Sequence, residues 1–192
     1  MFPCFHGNNS SVSDQRHLHN LALIGFMGTG KSSVGRMVAA QLGFQFVDTD
    51  DLIEQRAGRA ITRIFAEDGE PAFRALEKQV IEELARQRGL VISTGGGLAC
   101  QEGNLASLKS HALTVCLWAG PETIWQRVRH QSHRPLLHDP DPQAKIRRLL
   151  AEREPFYKQA DVLVNTEMRS VKDVGLHVLH QFHIARQQGR VS

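Results

Sequence analysis

The sequence of 192 residues lacks several features that would define its class at once. It has no apolar run approaching the ~20 residues needed to cross a bilayer. Residues 1–20 lack the basic and apolar segments of a secretory signal, which indicates a cytoplasmic protein. Cysteine is scarce: Cys4, Cys100 and Cys116 are odd in number and show no C-x-x-C spacing. A disulfide framework and a structural zinc site are therefore both disfavoured, and we expect free thiols.

Charge of one sign is not concentrated anywhere in the chain. The net charge of +3 arises from 23 basic and 20 acidic residues that are interleaved along the sequence. A nucleic-acid-binding surface normally requires a clustered basic face, so we expect neither a nucleic-acid partner nor a membrane partner. The composition, 41% hydrophobic and 22% charged, is that of an ordinary soluble globular protein, and the length fits a single domain.

The order of apolar patterns predicts the fold class. Residues 1–20 show no periodicity and are expected to form a flexible leader, followed by one domain over 21–192. Short apolar runs that alternate with helical patterns predict strands over residues 21–24, 44–47, 90–92, 113–118 and 162–164. This alternation predicts an α/β three-layer sandwich, in which helices flank a five-stranded parallel sheet. The proline-rich stretch 130–141 interrupts the pattern and is typical of a mobile loop or lid.

The segment from Gly25 to Ser32 reads G-F-M-G-T-G-K-S and satisfies the pattern G-x-x-x-x-G-K-S. It follows a predicted strand and opens a predicted helix, which is the context of a phosphate-binding loop. Backbone N–H groups of such a loop surround phosphates, Lys31 reaches the β and γ phosphates, and Ser32 can ligate Mg²⁺. The alternative is a glycine-rich turn without a ligand, but the motif and both of its flanks match. We predict nucleotide contacts from Gly28, Thr29, Gly30, Lys31, Ser32 and Ser33.

The acidic partner of this loop has to come from an unusual place. The chain has no N-K-x-D motif, which argues against a GTPase, and the strands over 90–92 and 113–118 do not end in aspartate. Asp48 and Asp50 follow the second strand, and an extended backbone would point both side chains to the same side. One carboxylate would hold Mg²⁺ through water while the other accepts a hydrogen bond from a substrate hydroxyl. The alternative is a solvated turn or the N-cap of a following helix.

Further candidates lie at the third strand end, on two helices and in the lid. Gly95, Gly96 and Gly97 allow a ligand to approach the main chain closely, although a simple loop is an alternative. If the side chains of Arg74 and Arg153 converge on a pocket instead of being solvated, they would select a carboxylate. Arg134 is placed to close over the phosphates. The histidines of the lid and the C-terminal segment match no zinc-site spacing, and we expect them to be solvated: His130, His133, His138, His177, His180 and His183.

Together these motifs resemble the shikimate kinases, a P-loop family of the nucleoside-monophosphate-kinase-like class. The resemblance covers about residues 21–165 and rests on six motifs in order: G-F-M-G-T-G-K-S, D-T-D at 48–50, G-E-x-x-F-R ending at Arg74, G-G-G at 95–97, R-P-L at 134–136 and R-x-P-x-Y at 153–157. It implies a fold of the P-loop NTPase type with a mobile lid. It also implies phosphorylation of the 3-hydroxyl of shikimate by MgATP, in the pathway to aromatic amino acids.

The resemblance also implies a role for each matching residue. Lys31, Asp50 and Arg134 would be catalytic, and Asp50 would contact the reacting diol. Ser32 and Asp48 would hold Mg²⁺. The remaining assignments are nucleotide contacts from the phosphate loop, Arg134 and Arg169, and substrate contacts from Asp50, Arg74, Gly95, Gly96, Gly97 and Arg153. Thr29 and Leu98 depart from the residues usual in the family at their positions.

The expected ligands are therefore ATP, Mg²⁺ and shikimate, bound by a protein that we expect to be a monomer. Two alternatives stay open at this point. One is a sugar-acid kinase of the same superfamily, which would turn over gluconate but not shikimate. The other is a kinase-like binding module that retains nucleotide affinity without transfer.

Overall fold

The structure, a computed structural model, describes residues 16–130 and 139–188. Within these residues the chain forms five strands and eight α-helices. The strands are β1 (Asn20–Ile24), β2 (Gln45–Asp48), β3 (Leu90–Ser93), β4 (Ala112–Trp118) and β5 (Val162–Asn165). The helices are α1 (Lys31–Leu42), α2 (Thr49–Ala57), α3 (Ile61–Glu67), α4 (Gly69–Leu84), α5 (Asn104–His111), α6 (Pro121–Val128), α7 (Pro142–Tyr157) and α8 (Val171–Gln188). A short 3₁₀ turn covers Leu98–Cys100.

The strands form one parallel sheet in the order β2-β3-β1-β4-β5, which confirms the predicted fold class. The central strand β1 is buried along its whole length. Its side chains alternate between two cores, with Leu21 and Leu23 facing the core that includes α1 and α8. Ala22 and Ile24 face the opposite core, to which α4 contributes. A sheet covered on both faces needs such continuous apolar strands, which is why the short runs were recognisable in the sequence.

Arg16, the first residue that the structure describes, contacts the body of the domain. Arg16 forms a bidentate ion pair with Asp161, at 2.7 and 3.0 Å, and donates to the carbonyls of Lys109 and Ala112. Asp161 also accepts from the backbone N–H and hydroxyl of Thr114. Residues 16–20 are therefore held against the domain, and residues 1–15 of the predicted leader lie outside the described residues.

The strand order determines which loops meet. β2, β3 and β1 are neighbours, and their carboxyl ends lead into Asp48–Asp50, Gly95–Gly97 and the Gly25–Ser32 loop. In a parallel sheet these ends lie at the same edge, where ligands bind. Among the helices that the structure describes, none is long and apolar enough to cross a bilayer.

Candidate active site

The loop between β1 and α1 has the backbone of a phosphate-binding loop. Gly25 has φ +131°, and a Cβ there would collide with the Leu117 carbonyl oxygen. Gly30 caps the N-terminus of α1 in the left-handed region, with φ +92°. Only glycine adopts these conformations without strain, so the glycines of the motif are required by the path of the chain. The loop consequently ends at the positive end of a helix dipole, which favours a bound anion.

Lys31 and Thr29 hold the inside of this loop. The Lys31 ammonium donates to the carbonyls of Gly25 and Phe26, at 2.9 and 2.8 Å. The Thr29 hydroxyl also donates to the Phe26 carbonyl, at 2.8 Å, and its side chain is buried. Threonine at this position therefore supports the loop from within.

Oxygen atoms cluster beside the loop, at the end of β2. The Ser32 hydroxyl donates to Asp48 Oδ2 at 2.8 Å and lies 3.4 Å from the Ser93 hydroxyl. Asp48 Oδ1 accepts from the Asp50 N–H at 3.1 Å and so caps α2. A hydroxyl and a carboxylate are the hard oxygen ligands that Mg²⁺ prefers. Both residues line a cleft that also contains Gly28, Lys31 and Asp50 and is called the main cleft below.

Asp50 reaches the same cleft by a different geometry from the one that the sequence predicted. It lies in the first turn of α2, not in an extended segment, because Asp48 ends the strand and caps the helix. The expected alternation of an extended backbone was therefore wrong, while both carboxylates do line the cleft. The Asp50 Oδ1 atom is buried and has no hydrogen-bond partner among the described residues. Burial, followed by the charge of Asp48, raises the pKa of Asp50 to about 6.

Of the two alternatives that the sequence left open for Arg74 and Arg153, the structure has the one in which both side chains converge, and they do so on the glycine segment. A Cβ placed on Gly97 would lie 3.2 Å from Arg74 Nη1 and 3.7 Å from Arg153 Nη2. A Cβ placed on Gly96 would lie 3.6 Å from Arg153 Nη1 and 3.5 Å from the Met27 nitrogen. The glycines thus let two guanidiniums and the phosphate loop come close together. An arrangement of this kind suits a carboxylate ligand.

Gly95 has a different environment from its two neighbours. It is buried, and its N–H donates to the Thr49 hydroxyl at 2.9 Å. A Cβ on Gly95 would lie 2.5 Å from Asp50 Oδ1. Its N–H is thus engaged by the protein, and the missing side chain makes room for the Asp50 carboxylate.

Glu77 is a site residue that the sequence analysis missed. Its side chain is buried and accepts from Arg74 Nη1 at 2.7 Å, while Glu70 accepts from the other side of the same guanidinium. Burial raises the pKa of Glu77, and the bond to Arg74 acts in the opposite direction. The spacing of three residues between Arg74 and Glu77 on a predicted helix was the available signal.

Arg127 was also missed, and it links the phosphate loop to the far edge of the sheet. From α6 it donates to the Gly28 carbonyl at 3.2 Å and to the Thr166 hydroxyl and carbonyl at 2.9 and 2.7 Å. Arg169 lies with Arg127 and Thr166 in a second cleft. That cleft shares Gly28 and Gly30 with the main one. Nothing in the sequence distinguishes Arg127 from the other arginines of the chain.

The main cleft brings together most of the predicted donor-side residues. It is lined by Met27, Gly28, Gly30, Lys31, Ser32, Ser33, Asp48, Asp50, Ser93, Thr94, Gly96 and Arg127. Arg134 lies outside the described residues, together with most of the predicted lid. In the part of the chain that the structure describes, no group of three or more His, Cys, Asp or Glu side chains could hold a metal ion.

Comparison with known proteins gives consistent matches. The family model for shikimate kinase matches residues 27–183. A shikimate kinase of Synechococcus sp. (strain JA-3-3Ab) is 54% identical over 143 residues, which cover 74% of this chain and 75% of that protein. The solved structure of a shikimate kinase from Acinetobacter baumannii, in complex with shikimate, superposes with a TM-score of 0.83 at 35% identity, covering 92% of this chain and 97% of that one. A gluconokinase from Sinorhizobium meliloti 1021 shares the fold at a TM-score of 0.61 and 17% identity, with coverage of 90% and 97%.

Proposed function

Because the chain belongs to the shikimate kinase family, we propose that its main cleft transfers the γ-phosphoryl group of ATP to the 3-hydroxyl of shikimate. The products are shikimate 3-phosphate and ADP. The observation that carries this proposal is the convergence of Arg74 and Arg153 on Gly96 and Gly97, directly beside the phosphate loop. Bidentate guanidinium contacts recognise a carboxylate on the acceptor, which a neutral sugar lacks.

On the donor side, the phosphates of ATP bind along the loop at the N-terminus of α1. The predicted contacts are Gly28, Thr29, Gly30, Lys31, Ser32 and Ser33, of which all but Thr29 line the main cleft. Arg127 and Arg169 extend this side into the second cleft, where Val171 and Val174 offer an apolar wall for a base. Arg134 is proposed to meet the phosphates from the lid.

Ser32 and Asp48 are the residues that would hold Mg²⁺. Their oxygens are 2.8 Å apart, line the cleft and are of the type that this ion prefers. When bound there, Mg²⁺ neutralises negative charge on the phosphates. Lys31 adds a fixed positive charge from the first turn of α1.

Asp50 is proposed to orient the acceptor hydroxyl and to take its proton. Its unpaired Oδ1 needs a hydrogen-bond donor, which the hydroxyl of a bound acceptor supplies. A carboxylate with a pKa of about 6 is mostly ionised at neutral pH and can therefore accept that proton. The new oxygen–phosphorus bond forms as the bond from the γ-phosphorus to the β–γ bridging oxygen breaks, and ADP leaves. Catalysis then consists mainly of positioning and charge stabilisation.

The test is ADP release by the purified protein with MgATP and either shikimate or gluconate. We expect release that depends on shikimate, with gluconate giving no more than the background without acceptor. Turnover of gluconate but not shikimate would move the assignment to a sugar-acid kinase. Calorimetric binding of ATP and shikimate without turnover would instead identify a binding module.

A further inference from the structure

The side chain of Tyr157 connects the carboxylate-binding region to the core. Tyr157 is the last residue of α7, is 1% exposed and packs within one of the two hydrophobic cores. Its hydroxyl donates to the Gly96 carbonyl at 2.5 Å. A buried tyrosine needs such a partner, but this partner lies in the segment between the two arginines and the phosphate loop.

This bond orients the peptide that joins Gly96 to Gly97. The peptide unit is planar and trans, so its C=O and N–H groups point in opposite directions. With the Gly96 carbonyl held by Tyr157, the Gly97 N–H points away from the core. No acceptor for this N–H is found in residues 16–130 and 139–188. Since Arg74 and Arg153 lie close to Gly97, the N–H is placed as a third donor beside their guanidiniums.

The glycine segment has little stiffness of its own, because glycine restricts the backbone least. Its beginning is fixed by the Thr94 N–H, which donates to the Leu23 carbonyl, and by the bond from Gly95 to Thr49. The Tyr157 hydroxyl fixes the next peptide. The carbonyls of Gly95 and Gly97 also accept from the N–H groups of Leu98 and Cys100, at 3.2 and 3.0 Å, but neither bond engages the peptide between Gly96 and Gly97. Without the Tyr157 bond, that peptide would lose the contact that aligns its N–H.

Arg153 and Tyr157 stand four residues apart on α7 and therefore share one face of the helix. Burial raises the pKa of Tyr157, and the nearby Arg153 guanidinium opposes that shift. The hydroxyl consequently remains protonated and available as a donor across the physiological range. One helix turn thus carries both a direct ligand group and the group that orients the backbone beside it.

We propose that Tyr157 is a positioning residue for acceptor recognition, which orients the Gly97 N–H toward the acceptor carboxylate by holding the Gly96 carbonyl. This inference rests on the proposed function. Tyr157 itself does not contact the acceptor.

The first test is Tyr157→Phe, which keeps the ring and removes the bond. We expect the KM for shikimate to rise about three- to tenfold, the equivalent of one net hydrogen bond. We expect kcat and the KM for ATP to stay within about twofold, because the donor side is not touched. An unchanged KM for shikimate, or an equal rise in both KM values, would overturn the inference.

A double-mutant cycle with Arg74→Lys separates positioning from general destabilisation, because Arg74 lies close to Gly97 but reaches it from another helix. If both residues act on the same carboxylate, their effects on the KM for shikimate are non-additive. Additive effects would mean that Tyr157 acts elsewhere and would contradict the proposal. Wild-type protein without shikimate-dependent turnover overturns the proposed function, and this inference with it. Wild-type turnover with an unaffected variant overturns this inference alone.

A second measurement uses the wild-type sequence and avoids any risk of misfolding. Tyr157 is the single tyrosine of the chain, so biosynthetic incorporation of 3-fluorotyrosine labels this position alone. We expect the ¹⁹F resonance to shift on saturation with shikimate and to move much less with ATP. A resonance that responds to ATP but not to shikimate would contradict the proposal.

Discussion

The immediate surroundings of Asp50 determine both the charge of its carboxylate and its capacity to accept a hydrogen bond. Burial and the Asp48 carboxylate disfavour its charge, whereas Lys31 and the N-terminus of α2 favour it. The absent side chain of Gly95 leaves the space that the carboxylate occupies. The result is a carboxylate that is ionised at neutral pH, poorly solvated and lacking a protein partner for one oxygen. A ligand that donates a hydrogen bond to this oxygen would therefore stabilise the carboxylate.

The substitution Asp50→Asn tests whether the Asp50 carboxylate accepts the proton. The amide keeps the shape of the side chain but cannot accept a proton, so we expect turnover to fall by about a hundredfold or more. ATP affinity measured by calorimetry should be retained, because the phosphate loop is intact. Asp51→Asn is the matched control: it neutralises the neighbouring, exposed carboxylate and should leave turnover within about twofold. Near-wild-type turnover of Asp50→Asn would remove this residue from the mechanism.

At the scale of elements, α6 connects the loop after β5 to the phosphate loop. Glu167 accepts from the Gly120 N–H at 2.8 Å and from the Thr123 hydroxyl at 3.0 Å, and so caps the start of α6 from another part of the chain. The last turn of α6 carries Arg127, which binds the Gly28 carbonyl. Glu167 is therefore connected to the nucleotide side through the body of a helix.

Glu167→Ala is expected to lower the free energy of unfolding by about 1 kcal/mol, the typical effect of a lost cap. Because α6 also positions Arg127, the KM for ATP should rise about two- to fivefold, with the KM for shikimate unchanged. Glu167→Gln keeps an acceptor oxygen and is the control, with both quantities close to wild type. A chemical denaturation series and initial rates at varied ATP provide the two readouts. Equal behaviour of the Ala and Gln variants would contradict the capping role.

The elements differ in how far the sequence revealed them. The three central strands β1, β3 and β4 were predictable because burial on both faces requires short apolar runs. The edge strands β2 and β5 are only partly buried, and their short apolar runs still revealed them. Neither α3 nor α5 was predicted, and α2 was only an alternative, as the helix that an aspartate N-cap would begin. Each of the three is at most nine residues long and gives too few turns for a clear period. An extended backbone was therefore predicted for Asp50, which lies in the first turn of α2. The residue itself was identified by its position after a strand.

Site residues were predictable where the chemistry requires a local sequence motif. They were unpredictable where contacts between distant parts of the chain place the side chain. The glycines with positive φ and Lys31 belong to a motif that can be recognised from the sequence alone. Arg127 and Glu167 act through partners 99 and 47 residues away, and such pairings cannot be read from a single sequence. The convergence of Arg74 and Arg153 was a hypothesis until the two helices were placed around the glycines.

At the scale of the whole molecule, the end of the sheet opposite the site contains a buried polar network. Asn20 donates to the Gln87 carbonyl at 2.8 Å and accepts from the Leu90 N–H at 2.9 Å, which fixes its amide orientation. Its nitrogen lies 2.9 Å from His111 Nδ1, so this ring atom is the acceptor and the imidazole is neutral. The Nε2 atom is buried without a partner among the described residues. Burial and the nearby His19 lower the pKa of His111.

This network predicts a loss of stability in mild acid. Because the folded state lowers the pKa of His111, the unfolded state binds the proton more readily. The contribution of neutral His111 to the free energy of unfolding is therefore complete above the pKa of unfolded histidine, about 6.5, and is lost as the pH falls below that value. Denaturant unfolding at pH 8, 7, 6 and 5.5 should show a steeper decline for wild type than for His111→Leu, which cannot titrate. His19, whose pKa is also lowered, remains in both proteins and cancels in the comparison. Parallel curves would exclude a role for His111.

The path of the chain between β2 and β3 has a consequence for descent and engineering. Residues 49–89 leave the sheet at the end of β2, form α2, α3 and α4, and rejoin it at the start of the adjacent strand. This one continuous stretch of the chain contains Asp50, Arg74 and Glu77, whereas the phosphate loop and the second cleft lie outside it. A single exchange of that stretch would bring in a new acceptor-binding wall and leave the nucleotide machinery in place. Replacement of this one segment would therefore change much of the acceptor-binding wall, whereas residues 95–97, 153 and 157 would have to be adjusted separately.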